Sequence, residues 1–328
     1  MRRRSVPSRP PFADLFGREA ALARLGERFA GGARLVTLVG PPGVGKSRLA
    51  AAHLDTLRGV ETAWIDLSGT TRPEELSARV AHELGLRPSW LDTPDLVDEL
   101  GWALEGRGAL ALFFDESEHT APFLGRVLAR WLALSPSLRV LVTSRERLGV
   151  AVEAVVEVEP LDREAATALL AARAGLAPSA ALAELAARLD GIPLALELVA
   201  ARLSLLAPEA VLDRLAAGLD VIDEGRATLR DALAGSWARL AAEEAEALAR
   251  LAVFEGSFRI EAAEAVIGEG ALARLQALRD KSLLARSGAR ARLYAPVRAF
   301  AGERLDAATR ADALRRHARF FAREAADA

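Results

Sequence analysis

The stretch TLVGPPGVGKSRLA (37–50) decides the fold, through the eight residues Gly40-Pro-Pro-Gly-Val-Gly-Lys-Ser47. They fit G-x-x-x-x-G-K-[ST], and they lie between an apolar run, Leu35–Val39, and a helical pattern starting at Lys46. Glycines at 40, 43 and 45 let successive backbone N–H groups curl around phosphate oxygens with no Cβ in the way. The helix N-terminus behind them adds partial positive charge. The expected nucleotide-binding set is therefore Gly40, Pro41, Pro42, Gly43, Val44, Gly45, Lys46, Ser47 and Arg48. Lys46 is placed to reach the β- and γ-phosphates as a compact charge, and Ser47 to offer its hydroxyl to Mg2+. Composition supports this. Of 43 Lys and Arg residues only two, Lys46 and Lys281, are lysines. A planar guanidinium substitutes poorly in so tight a cradle, so a lysine kept at 46 points to phosphate contact.

Working outward, 328 residues suggest about two domains, with room for three small ones. An apolar fraction of 51% is ample for buried cores, and a net charge of −2 argues against a polyanion binder acting through the whole chain. Positive charge is concentrated locally, in MRRRSVPSRP (1–10) and between Ala271 and Arg323. The absence of cysteine excludes disulfides, thiolate catalysis and Cys-based zinc sites. No apolar core follows the basic N-terminus as a secretory signal would require, and no run has the roughly 18–20 apolar residues of a membrane span. The expectation is a soluble, cytoplasmic protein.

Along the chain, 1–15 reads as a flexible basic arm. Residues 16–160 alternate strands and helices, as in a doubly wound α/β domain with a parallel sheet. Its strand candidates are Leu35–Val39, Val60–Ser68, Ala109–Ser117, Leu138–Arg145 and a weaker one near Val155–Val158. Thr93 and Pro94 read as the N-cap and first residue of a helix. Residues 161–225 carry helical periodicity punctuated by Pro178, Gly191–Pro193 and Pro208, which predicts a small helical domain. Over 226–308, three helices and a hairpin (Leu283–Arg286 and Ala291–Tyr294 around SGAR) give a winged-helix pattern, and 309–328 a C-terminal helix or tail.

ALALFFDES (109–117) is nearly continuous in apolar residues, as in a strand buried on both faces, and it ends in Asp115. A carboxylate there needs a cationic partner. Asp115 is assigned to the Mg2+ shell, and Glu116 to a water that attacks the γ-phosphate. The competing structural reading makes both residues a helix N-terminal cap cluster. Arg145 follows LVTS; if its strand lies between the phosphate-loop strand and the Asp115 strand, it projects toward the γ-phosphate. His53, His82, His119 and His317 lack metal-ligand spacing, and no Ser/His/Asp arrangement stands out.

LFGREAALARL (15–25), GPPGVGKSRLA, ALFFDESEH, LVTSRERLGV and DGIPLALELVAARL (190–203) occur in an order that resembles the bacterial STAND NTPases. These are NB-ARC-like AAA+ ATPases akin to apoptosome scaffolds, plant resistance proteins and large bacterial transcriptional regulators. TLRDALAGSWARL (228–240), LARLAVFEGSF (248–258), LRDKSLLAR (278–286) and VRAFAGERL (297–305) resemble that group's winged-helix region, so the likeness covers about 12–306. It implies an ASCE/AAA+-like P-loop domain, a helical (ARC-like) domain and a winged helix closing over ADP, with opening and oligomerisation in the ATP state. It also implies that Arg145 touches the γ-phosphate, that Pro193 packs near adenine, and that Arg18 lies by the base. In departure from the family pattern, RLYAPVRAF (292–300) lacks the histidine that contacts the ADP β-phosphate in many relatives. Those relatives usually carry sensor repeats and an effector domain; here separate sensor or effector proteins are expected.

Three functions follow as expectations. The leading one is a signal-transduction switch that binds ATP or ADP with Mg2+, hydrolyses slowly through Lys46, Asp115, Glu116 and Arg145, and self-associates in the ATP state. The second is an origin-recognition-type AAA+ ATPase with a DNA-binding winged helix; against it, GIPLALE lacks the lid arginine of such proteins. The third is a scaffold that binds ADP and never turns over.

Overall fold

The computed structural model describes residues 15–67, 70–86, 96–115, 117, 120–217 and 229–327. They fall into two compact units. The first runs to Gly40 and resumes from Gly45 to Val158, and the second holds Pro41–Val44 and runs on from Glu159.

In the first unit, all five residues of β1 (Leu35–Val39) are buried, because parallel strands are covered on both faces. The other strands are β2 (Glu61–Asp66), β3 (Leu110–Asp115), β4 (Leu138–Ser144) and β5 (Glu153–Glu157). They pair in parallel in the order β2-β3-β4-β1-β5. Alternation along the strands sends Leu35, Leu112, Phe114, Val140 and Val142 into one core, with α3 (Pro73–Glu83), α4 (Leu96–Glu105) and α5 (Ala121–Leu134). At its centre Trp131 is fully buried, and its indole N–H donates to the Val97 carbonyl at 2.8 Å. Side chains of this kind contribute about 1.5–3 kcal/mol each. Helices α4 and α5 approach closely at Gly101, where a Cβ would stand 2.6 Å from Leu134 Cδ1. Helices α1 (Glu19–Ala30) and α2 (Lys46–Thr56) pack on each other and on β1, and the Phe29 and His53 rings stack with centroids 5.2 Å apart.

The expected strands all form, within a residue or two of their predicted ends. The helix start assigned to Thr93 and Pro94 lies outside the described residues, as do residues 1–14 of the arm and all of 218–228.

The second unit begins with α6 (Arg163–Ala174), α7 (Ala180–Arg188), α8 (Pro193–Arg202) and α9 (Pro208–Ala217). Asp162 caps α6 by accepting from Ala165 N at 2.8 Å, and Ser179 caps α7 through Leu182 N. Four further helices follow, where the sequence suggested three: α10 (Leu229–Trp237), α11 (Ala242–Leu251), α12 (Ile260–Ile267) and α13 (Ala271–Asp280). Two of them, α12 and α13, are separated only by Gly268, Glu269 and Gly270, and the two glycines, both at positive φ, turn the chain without lengthening the loop. Strands β6 (Leu284–Ser287) and β7 (Arg290–Leu293) form the expected hairpin, followed by α14 (Ala295–Gly302) and the long α15 (Ala307–Asp327). Lys281, the second lysine of the chain, pairs with Glu244. Burial pushes the Glu244 carboxyl up, but hydrogen bonds from Lys281 and from Ala241 N outweigh it and hold the pKa below the ordinary value.

Candidate nucleotide-binding site

β1 ends at Val39 and α2 starts at Lys46, so Gly40–Gly45 bridges strand to helix. Gly43 and Gly45 have φ of +75° and +95°, a region open to glycine, and they bend the loop over the helix start. Gly45 is the N-cap of α2 and brings no capping side chain, which leaves that end suited to an external anion. Lys46 is 9% exposed, and its Nζ donates to the Gly40 carbonyl at 2.9 Å, so the ammonium is folded back over its own loop. Pro41, Pro42 and Val44 are buried, and Ser47 and Arg48 are half-buried on the first turn.

Ser47 Oγ donates to Asp115 Oδ1 at 2.8 Å, and Thr143 Oγ1 donates to the same oxygen at 2.5 Å. Asp115 thus ends β3 with its carboxylate held by hydroxyls from α2 and β4. This is how a carboxylate is accommodated at the end of a buried strand. A hydroxyl and a carboxylate oxygen side by side next to a glycine loop form the donor set of a hard, oxygen-seeking divalent ion. The residues present fit Mg2+.

Thr143 was not anticipated. The only sequence signal was a threonine two residues before Arg145 in a strand that ends beside β3. Below it, Ser117 Oγ donates to the Thr143 carbonyl at 2.8 Å and ties the end of β4 to the segment after β3.

β4 lies between β1 and β3, the strand order on which the expectation for Arg145 depended. Arg145 follows Ser144 directly and is half-buried. Arg18, the N-cap of α1, is 7% exposed. Pro193 is buried at the first position of α8, in the second unit. Glu116 lies outside the described residues. No group of three or more His, Cys, Asp or Glu forms a metal cluster among the described residues, and no described helix is long and apolar enough to cross a membrane.

Comparison with known proteins agrees with this geometry. A family model described as an AAA domain matches residues 28–150. The "Uncharacterized protein Rv0894" of Mycobacterium tuberculosis is 34% identical over 336 residues, covering 91% of this chain and 83% of its own length. The "Putative HTH-type transcriptional regulator Rv0890c" of the same organism is 33% identical over 88% of this chain, which spans only 36% of that relative. Among solved structures, the Walker-type ATPase PABY2304 of Pyrococcus abyssi superposes with a TM-score of 0.63 at 20% identity, over 88% of this chain and 96% of that one. The chain belongs to the same family as the mycobacterial protein Rv0894, and its parallel sheet and glycine loop give residues 28–150 the P-loop fold of the AAA domain they match.

Proposed function

We propose that this chain is a nucleotide-operated regulatory switch of the STAND type. It holds ATP or ADP with Mg2+, hydrolyses ATP slowly, and couples nucleotide state to opening and self-association. The observation that carries this reading is the position of Arg145 at the end of the strand between the phosphate loop and Asp115. A cation there distinguishes a nucleotide that has its γ-phosphate from one that has lost it. Ser47 Oγ and Asp115 would hold the ion, and Mg2+ when bound would neutralise charge on the β- and γ-phosphates. Lys46 would turn from the Gly40 carbonyl to the phosphates, and Glu116 would orient the attacking water. Arg18 and Pro193 would meet the base.

The likeness to a relative named as a transcriptional regulator supports a regulatory role over transport or phosphoryl transfer to a second substrate. In this proposal α11, α12, α13 and the β6–β7 hairpin act as a winged helix used within the chain.

The test is the nucleotide that copurifies, read with particle size after loading with ADP or ATP. Tightly held ADP in a monomer, and larger particles with ATP, are expected. Lys46→Ala should abolish both, and Arg145→Ala should keep ADP affinity while losing the ATP-dependent change. Particle size indifferent to nucleotide would sink the switch reading, and a salt-dependent shift of duplex DNA would favour the origin-recognition alternative.

A further inference from the structure

The turn 189–192, with the first residues of α8, contacts two distant parts of the second unit. Asp190 has φ +52° and Gly191 has φ +63°, two consecutive left-handed residues between α7 and α8. The turn is rigid on its inner side. Leu161 N donates to the Gly191 carbonyl at 3.0 Å, and a Cβ on Gly191 would stand 2.2 Å from the Leu161 oxygen.

At one end of the turn, Asp190 joins the α6–α9 helices to the hairpin and α14. Its Oδ1 accepts from Arg292 Nη1 at 2.6 Å, and its Oδ2 accepts from the backbone N–H of Ala295. Tyr294, the N-cap of α14, provides no capping side chain, so the cap of that helix comes from a residue 105 positions earlier. Arg292 is fixed further by lying over the Tyr294 ring, 5.6 Å from its centroid. At the other end, Leu194 N donates to the Gly43 carbonyl of the phosphate loop at 3.1 Å. The approach is so close that a Cβ on Gly43 would stand 2.8 Å from Leu194 Cβ.

We infer that Asp190 is a latch that holds the β7–α14 segment against the helical segment, and that the turn 190–194 relays the state of the phosphate loop to it. A shift of the Gly43 carbonyl on loading or loss of a phosphate pulls on Leu194, and a short turn with two fixed left-handed residues passes that displacement to the Asp190 carboxylate. The same connection works in reverse: releasing the latch loosens the loop and weakens nucleotide binding, as reciprocity of coupling free energies requires, and the weaker hold is read as faster nucleotide departure. A cavity of about 460 Å³ beside Asp190, lined also by Arg188, Glu255, Arg292 and Arg298, gives the released segment space to move into. The relay rests on the nucleotide reading above, whereas the latch itself does not.

The experiment uses Asp190→Asn, which keeps a residue tolerant of left-handed backbone and an oxygen for Ala295 N–H but removes the charge that holds Arg292. Two quantities are measured on the full chain: amide hydrogen exchange over 290–299, and release of fluorescent ADP by stopped flow. Asp190→Asn and Arg292→Gln should each raise exchange over 290–299 and speed release about tenfold, within the usual range of coupling between sites. The double variant should be no faster than either single one. Glu197→Gln, which removes a different ion pair of the same helices (Arg173–Glu197, 3.2 Å), should leave both readouts as in wild type. Unchanged exchange in Asp190→Asn would overturn the latch, and raised exchange with unchanged release would overturn the relay. If wild type holds no ADP, the nucleotide reading fails and the relay falls with it, while exchange still decides the latch.

Discussion

Gly191→Ala isolates the strain built into this turn. A non-glycine residue at φ +63° loses about 1–2 kcal/mol from its own Cβ alone. The methyl would also stand 2.2 Å from the Leu161 carbonyl oxygen, so the turn or the start of α6 has to move. Overpacking of that kind costs about 1–3 kcal/mol, and breaking the Leu161 N–Gly191 O hydrogen bond adds about 0.5–1.5 kcal/mol. The expected loss is roughly 3–6 kcal/mol. Gly175→Ala is the matched control, since Gly175 has φ +67° and nothing lies within 4 Å of its added Cβ. It should lose only the backbone part, about 1–2 kcal/mol. With a urea slope near 3 kcal/mol/M, the transition followed by far-UV circular dichroism should fall by about 1–2 M for Gly191→Ala and about 0.5 M for Gly175→Ala. Equal shifts would refute the reasoning, because the steric part would then be absent.

Three other outcomes are expected. Thr37 Oγ1 is buried in β1 without a hydrogen-bond partner among the described residues, so Thr37→Val should stabilise by about 1–2 kcal/mol; a lower urea midpoint would count against it. Thr143→Val removes one hydroxyl from Asp115 and should weaken Mg2+-dependent ATP binding about tenfold, measured by Mg2+ titration with fluorescent nucleotide. Unchanged Mg2+ dependence would detach Thr143 from the site. Burial, and then the charge of Arg139, hold the His53 pKa below its ordinary 6.5. The unfolded chain therefore takes up a proton the folded one refuses. Stability is full above about pH 6.5 and falls below it, by at most about 1.4 kcal/mol per pH unit, until the folded-state pKa is passed. His53→Phe, which keeps a ring against Phe29, should flatten the difference between midpoints at pH 7.5 and 5.5.

The parts legible from sequence were those with a short-range cause. The phosphate loop declares itself because its glycines, lysine and serine act within eight residues. The strands declare themselves because burial on both faces leaves continuous apolar runs such as Leu110–Phe114. Lysine survival was an uneven guide: at 46 it marks a loop that holds its ammonium, and at 281 an ion pair with Glu244. Thr143 and Asp190 were illegible for another reason. Each acts on a partner 28 or 105 residues away, and only strand order and helix packing bring those partners within reach. Asp190 was quoted as the first letter of a motif, and nothing in the letters says that its carboxylate caps α14. The helix count over 229–280 was short by one because Gly268 and Gly270 turn the chain in so few residues.

The placement of β1 also has a consequence for how the chain is made. Leu35 pairs with Val140 on one side and Glu153 on the other, so both neighbours of β1 are synthesised more than a hundred residues after it. At about 5–20 residues per second, Leu35–Val39 waits roughly 5–20 s at the ribosome with both edges open. An apolar, β-prone pentapeptide with no charge is a template for wrong pairing over that interval. The phosphate loop waits longer still, because Leu194, which donates to the Gly43 carbonyl, follows the last strand of the sheet, and slowed translation across 100–157 would show first as aggregation of nascent chains.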